Sequence, residues 1–128
     1  MCIKGFGKSR IDQSFNICRS HGAHLPLPKN PEENEDLKAA VDLIVQWPPN
    51  NVPIEHTDIP IDFSDVHEEG VWLDSLWQTK EYTNWDIHSA DLNGDYDYAF
   101  VDKSTGKWKK SKATTQFAVY CIRSVSQG

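Results

Sequence analysis

Between residues 91 and 97 the chain alternates oxygen-bearing side chains: Asp91, Asn93, Asp95 and Asp97. The stretch Asp91-Leu92-Asn93-Gly94-Asp95 has the Asp-x-Asn-x-Asp spacing that turns oxygens toward one hard cation. Calcium takes about six to eight such ligands. The glycine that follows in an EF-hand loop is missing, because Tyr96 stands there. A solvated acidic loop has the same composition, so the spacing leaves both readings open. A second charged run, Lys103, Lys107, Lys109, Lys110 and Lys112, stands out on an acidic protein. Runs of this kind are ordinarily solvated faces; the alternative is a surface for an anionic partner.

Catalytic chemistry has little to start from. His21 and His24 have i, i+3 spacing but straddle a helix stop at Gly22, which reads as two surface histidines. His56, His67 and His88 have no nucleophile or metal constellation around them. There is no Gly-x-Ser-x-Gly, no His-Glu-x-x-His and no phosphate loop. Paired carboxylates occur only in the acidic loop, without the apolar pocket that tunes a general acid. The formal net charge of −6 excludes broad nucleic-acid binding, which needs a basic footprint. No apolar run approaches the roughly 18 residues of a membrane-spanning helix, so direct membrane insertion is not expected. Five tryptophans among 128 residues are many, and Trp is spent on cores or contact surfaces.

The elements that must position these groups begin with two helices. Ile11, Ser14, Phe15 and Cys18 recur on one helical face, with Ser9 and Asp12 spaced as a capping box and Gly22 as the stop. Asn30 caps a second helix that has Pro31 at its first position and Glu33 reaching back. Leu37, Ala40, Val41 and Ile44 form its apolar stripe. Pro48 and Pro49 end it after Trp47. Residues 47–60 read as an irregular loop. Short strands are expected at Val71–Leu73 and Ala99–Val101, with a turn over Lys103–Lys107. Phe117–Ile122 is apolar on both alternating faces and reads as a central buried strand. Helices followed by strands indicate an α+β fold, and a chain of this length without repeats reads as a single domain, 1–128. Of the three cysteines, none has zinc spacing. Cys18 and Cys121 are read equally well as buried thiols or as a bridge.

In order, the landmarks resemble a C-type lectin-like domain. They run Ser14-Phe15-Asn16-Ile17-Cys18, Gly22-Ala23-His24-Leu25-Pro26 and Glu33-Asn34-Glu35-Asp36-Leu37. Then come Ile61-Asp62-Phe63-Ser64-Asp65 and Glu69-Gly70-Val71-Trp72. The series ends with Tyr82-Thr83-Asn84-Trp85, Gly106-Lys107-Trp108 and Ala118-Val119-Tyr120-Cys121. The resemblance spans residues 3 to 123, and its specificity lies in order and spacing together. It implies two helices flanking antiparallel sheets with a long loop region, and core positions for Trp72, Trp85 and Trp108. It also implies a Cys18–Cys121 disulfide, whose loop of about 100 residues would contribute roughly 4–5 kcal/mol in the entropic model. Such a bond requires an oxidising compartment, so an extracellular location is expected. Met1 is followed at once by Cys2 and polar residues, with no signal peptide. A piece of a longer secreted or cell-surface protein is therefore expected, with the disulfide partner of Cys2 upstream or in another chain.

Departures from the resemblance bear on function. The family's second loop disulfide falls near Tyr98 and Ala113 and is missing. Its principal sugar-binding calcium needs Glu-Pro-Asn or Gln-Pro-Asp, where this chain has Ser89-Ala90-Asp91. It also needs Asn-Asp after the later tryptophan, where this chain has Lys109-Lys110, two ammonium groups that repel a cation. The auxiliary calcium is a separate matter: Asp65, Glu69, Asp97 and one of Asp91 or Asn93 match its ligand set and could hold one structural ion. The resemblance thus implies a recognition module and not an enzyme. Its ligand would be a protein or a non-standard glycan bound without the principal calcium. Lys107, Lys109, Lys110, Lys112 and Trp77 are the candidate contact residues. A calcium-dependent lectin with a rearranged site at Asp91–Asp97 is the alternative; a matrix role would use the same fold.

Overall fold

A computed structural model describes residues 2–46, 58–68, 70–86 and 96–123. The elements run β1 (Cys2–Arg10), α1 (Ile11–Ser20), α2 (Pro31–Gln46), β2 (Ile59–Glu68), β3 (Val71–Leu73), β4 (Tyr98–Val101), β5 (Trp108–Ser111) and β6 (Gln116–Arg123). β1 and β6 pair antiparallel as one sheet, and a second antiparallel sheet has the order β3-β2-β4-β5. Two helices beside antiparallel sheets is the α+β arrangement expected. No helix among the described residues is long and apolar enough to cross a membrane.

α1 buries Ile11, Ser14 and Cys18, three of the four positions on the expected face. It stops in a Schellman motif: Ala23 N–H donates to Cys18 O (2.9 Å) and Gly22 N–H to Arg19 O (3.0 Å), with Gly22 at φ +69°. The capping box is not formed. Ser9 lies in β1 opposite Phe117, and Arg10 precedes the helix without a side-chain cap. Backbone carbonyls do the work instead, Thr115 O accepting from Ile11 N and Ala113 O from Asp12 N. A helix start satisfied from another strand's loop needs no capping side chain. At α2, Asn30 Oδ1 does accept from Glu33 N (2.8 Å), and Glu33 Oε1 reaches back one residue further than expected, to Lys29 N.

Leu37 and Val41 of α2 are buried. They pack with Ile59, Ile61, Phe63, Ala99, Val101, Trp108, Ala118 and Tyr120 in the larger core. A smaller core holds Cys18, Leu25, Val119 and Cys121. β6 therefore alternates Ala118 and Tyr120 into one core with Val119 and Cys121 into the other, which explains its two apolar faces. It is not a central strand, however. Among the described residues β1 is its one strand partner, and on the other edge Ile122 alone forms a bridge, with His24. Burial between two cores produces the same sequence pattern as burial inside a wide sheet. β2 likewise starts earlier than the loop 47–60 allowed, because Ile59 and Pro60 already pair with Val101 and Phe100. Proline is tolerated so near a strand's first residue.

Cys18 and Cys121 are joined, with Cα atoms 5.4 Å apart across 103 residues. The bridge ties α1 to β6 inside the smaller core. In the larger core the fully buried Trp108 donates its indole N–H to Asn34 Oδ1 (2.8 Å), and Asn34 Nδ2 donates to Gly106 O (2.9 Å). Gly106, at φ +77°, is a strained place for a side chain, and a Cβ there would crowd Asn34 Nδ2 at 3.2 Å. Asn34→Ala would strand a buried indole donor and is expected to lower the unfolding free energy by about 2–3 kcal/mol. Urea midpoints read this directly, and a loss below about 0.5 kcal/mol would show that the contact is dispensable.

Candidate functional site

β5 follows the Gly106 turn. Trp108 N donates to Asn84 O (2.7 Å) and Asp86 N to Trp108 O (2.8 Å), which lays the Asn84-Trp85 segment alongside Trp108. Asn84 Nδ2 donates to the same Gly106 carbonyl that Asn34 uses. Phe63 sits 5.7, 6.0 and 5.8 Å from Trp72, Trp85 and Trp108 between ring centroids, and Trp72 and Trp85 meet edge to face at 4.8 Å. The three tryptophans expected in the core thus form one aromatic block, Trp108 buried and Trp72 and Trp85 half-buried against it.

Strand alternation sends Lys109 and Lys110 to opposite faces. Lys109 Nζ reaches Asp102 Oδ2 at 2.7 Å. Lys110 Nζ lies 5.6 Å from both the Trp72 and the Trp85 ring centres, as a cation over aromatic faces. Of the other lysines, Lys103 is ion-paired with Asp42. Lys112 lies over Tyr96 (5.4 Å), and Lys107 Nζ is 3.4 Å from Asn84 Oδ1. The run is thereby divided among separate partners: carboxylates offset Lys103 and Lys109, whereas Lys107, Lys110 and Lys112 contact an amide or aromatic rings. Burial would raise the Asp102 carboxyl, but the Lys109 ammonium and the Ser104 hydroxyl and N–H outweigh it and hold Asp102 at about 2.

The expected calcium ligands divide differently. Glu69, Asp91 and Asn93 lie outside the described residues, as does Asp95. Asp65 and Asp97 are adjacent: Asp65 N donates to Asp97 O at 3.1 Å. Asp65 is buried, its Oδ2 accepts from Gly70 N (2.9 Å), and its Oδ1 has no hydrogen-bond partner among the described residues. No group of three His, Cys, Asp or Glu side chains with metal-binding geometry occurs among the described residues. His21 packs on Phe6 and His24 Nδ1 lies 2.9 Å from Leu25 O, so the two do not converge. His56, His88 and Trp47 lie outside the described residues.

Trp77 is 62% exposed and holds φ +65°, a left-handed conformation that bulky residues rarely adopt. The turn that imposes it is built on Asp74. Asp74 Oδ1 accepts from Leu76 N and Gln78 N, both at 2.9 Å, and Oδ2 pairs with Lys80 at 2.7 Å. Against the lifting effect of burial, Lys80 and these N–H groups hold the Asp74 carboxyl below the usual range. Asp62 of β2 accepts from Ser75 N (3.1 Å) and Ser75 Oγ (2.8 Å), which anchors the turn to the sheet. Burial pushes the Asp62 carboxyl up. A cleft of about 250 Å³ opens here between β2, the turn and α1. Asp62, Asp74 and Ser75 were not distinguished by sequence; the signal was an Asp-Ser pair between a strand and an exposed aromatic, a common turn former.

Two outcomes follow from these contacts. Glycine adopts positive φ without the clash that a Cβ makes, so Trp77→Gly should be about 1 kcal/mol more stable than Trp77→Ala. Equal melting temperatures would contradict the left-handed backbone. Asp102 has a depressed folded-state value, so its contribution is present above its ordinary value of 3.8 and lost as pH falls through about 2. Lys109→Met should flatten the melting profile in that window, and an unchanged acid limb would remove the pair from the account.

Residues 7–123 match the family model of the lectin C-type domain. No curated protein sequence matches significantly. Among solved structures, the carbohydrate-recognition domain of mouse scavenger receptor C-type lectin is 16% identical, with a TM-score of 0.73, covering 94% of this chain and 88% of that one. The cow C-type carbohydrate-recognition domain of CD23, solved with an oligosaccharide, is 19% identical, with a TM-score of 0.71 and coverage of 97% and 86%. A calcium-independent type II antifreeze protein is 16% identical, with a TM-score of 0.73 and coverage of 94% and 83%. These likenesses are of fold, whereas the family match spans nearly the whole sequence: the chain belongs to the C-type lectin domain family, whose members are binding modules and not enzymes.

Proposed function

We propose that the chain is a single extracellular recognition domain, part of a longer secreted or cell-surface protein, that binds a protein or non-standard glycan without the principal calcium site. The observation that carries this reading is the engagement of Lys109 and Lys110. One ammonium is bonded to Asp102 and the other lies over Trp72 and Trp85. Each brings a fixed positive charge to the strand where sugar-binding members of the family place cation ligands. A divalent ion there would meet ammonium groups where it needs oxygen ligands. Solved neighbours of this fold include both carbohydrate-recognition domains and a calcium-independent protein, so neither mode is foreign to the scaffold. An anionic ligand on Lys107, Lys109, Lys110 and Lys112 is the weaker part of the reading, because Lys109 is already paired with Asp102 and the others are divided among separate contacts. Trp77, exposed on a pinned turn, is the stronger contact candidate.

A structural calcium at the auxiliary position belongs to the same proposal. Asp65 and Asp97 would be its ligands, with Glu69 and Asp91 or Asn93 as the others. Support comes from the buried Asp65 Oδ1, an acceptor with no hydrogen-bond partner among the described residues. Bare carboxylate oxygen of that kind suits a hard cation. The ion would order the loop that the missing second disulfide leaves untied. The same oxygen favours, as a second reading, a calcium-dependent lectin with its site moved to Asp91–Asp97.

Thermal melting in calcium and then in EDTA, followed by a glycan array in both, separates these readings. Calcium at about 100 times its dissociation constant should add about 2.7 kcal/mol of stability, and Asp65→Asn should abolish the shift. No calcium shift in the parent chain removes the ion. Ligand binding that survives EDTA supports the proposal, and neutral-sugar binding that appears only with calcium establishes the second reading in its place.

A further inference from the structure

The cleft beside Trp77 has the parts of a small-ligand site, and it lies away from the cation positions of β5. Its volume of about 250 Å³ is below the roughly 300 Å³ at which clefts accept drug-sized ligands. One ring fits; a chain does not. Trp77 supplies an exposed aromatic wall, edge to face with His67 at 4.0 Å. Ser75, Asp62 and Asp74 supply hydroxyl and carboxylate oxygens, and Arg19, at the end of α1, lines the same cleft. Arg19 makes no side-chain hydrogen bond or ion pair among the described residues, so its five N–H donors remain available.

The charges decide the ligand's chemistry. Asp74 is matched by Lys80, and the lining otherwise carries one carboxylate, Asp62, and one guanidinium, Arg19, so a net charge on the ligand gains little. Each Asp62 oxygen accepts one bond from Ser75 and retains room for another. A wall that offers donors on Arg19 and acceptors on Asp62 beside an aromatic surface suits vicinal hydroxyls on a ring with an apolar face. An apolar peptide side chain would use Trp77 but would desolvate Asp62 and Arg19 without replacing their hydrogen bonds. The left-handed Trp77 adds a further sign, since backbone strain in a well-tied turn is retained where a side chain must be presented.

We infer that this cleft binds a single neutral pyranose ring independently of calcium, stacked on Trp77 and hydrogen-bonded by Asp62 and Arg19. The inference rests on the reading of the chain as a recognition module that works without the principal calcium.

The test is a two-dimensional NMR titration of the chain, in EDTA and again in calcium. The probes are the methyl glycosides of glucose, galactose and mannose, with N-acetylglucosamine and, as the peptide-like control, N-acetyl-leucinamide. At least one sugar should shift the Trp77 indole signal and the Ser75 and Leu76 amides saturably in EDTA. Trp77→Gly keeps the backbone conformation and should weaken that binding about tenfold or more, as should Asp62→Asn. If none of the sugars moves these signals, or if the leucine amide alone does, the inference is overturned. Saturable sugar shifts in EDTA that fall on Trp72 and Trp85 would overturn the cleft while leaving calcium-independent recognition intact. Shifts that require calcium would remove both.

Discussion

The Trp108 indole can be buried only because Asn34 waits for its N–H. A bare indole donor on a residue with 0% exposure would cost a few kcal/mol. Asn34 stands on α2, Trp108 on β5, and the Gly106 carbonyl binds both Asn34 and Asn84. One amide therefore sets the distance between the helix, the sheet edge and the segment carrying Trp85. The aromatic block closes around that junction, and β5 can then hold its lysines at fixed heights above it. The Cys18–Cys121 bridge acts on the other core, between α1 and β6. It limits the unfolded chain, whereas the Trp108 junction positions β5 and the Asn84-Trp85 segment.

That division explains how the surface can differ from the scaffold. A cation site demands oxygen ligands on β5, and this chain has ammonium groups there without losing the strand. Lys109 is stabilised by Asp102, four residues before the Gly106 turn, and Lys110 by aromatic faces that the core needs in any case. The long stems of both side chains cover apolar surface while their heads find partners. Substitution at these positions is thus absorbed locally; in the proposed reading recognition passes to the Trp77 turn, which hangs from β2 through Asp62 and Ser75.

Much of the fold was legible because it rests on patterns that local physics enforces. The α1 stripe, its glycine stop, the Asn30 cap and the Gly106-Lys107-Trp108 turn are short-range features, and the structure keeps them. The errors have one cause in common: the deciding partner is distant in sequence. Ser9 is not a cap because loop carbonyls at Ala113 and Thr115 reach α1 first. Phe117–Ile122 is not central because two cores, and not two strands, bury its faces. At the site, the lysine run looked like one patch until strand alternation and Asp102, Asp42 and Tyr96 divided it. Asp62 and Asp74 had no sequence signature beyond a turn, because their role comes from contact with Ser75 and Lys80 in three dimensions.

The central claim is that β5 carries its own cations in place of a bound one. An anomalous-scattering map from crystals of the chain grown in calcium tests it at the atoms concerned. The account predicts no ion within coordinating distance of residues 109 and 110, with the Lys109 ammonium on Asp102. A calcium coordinated there, with either lysine swung away, would contradict it.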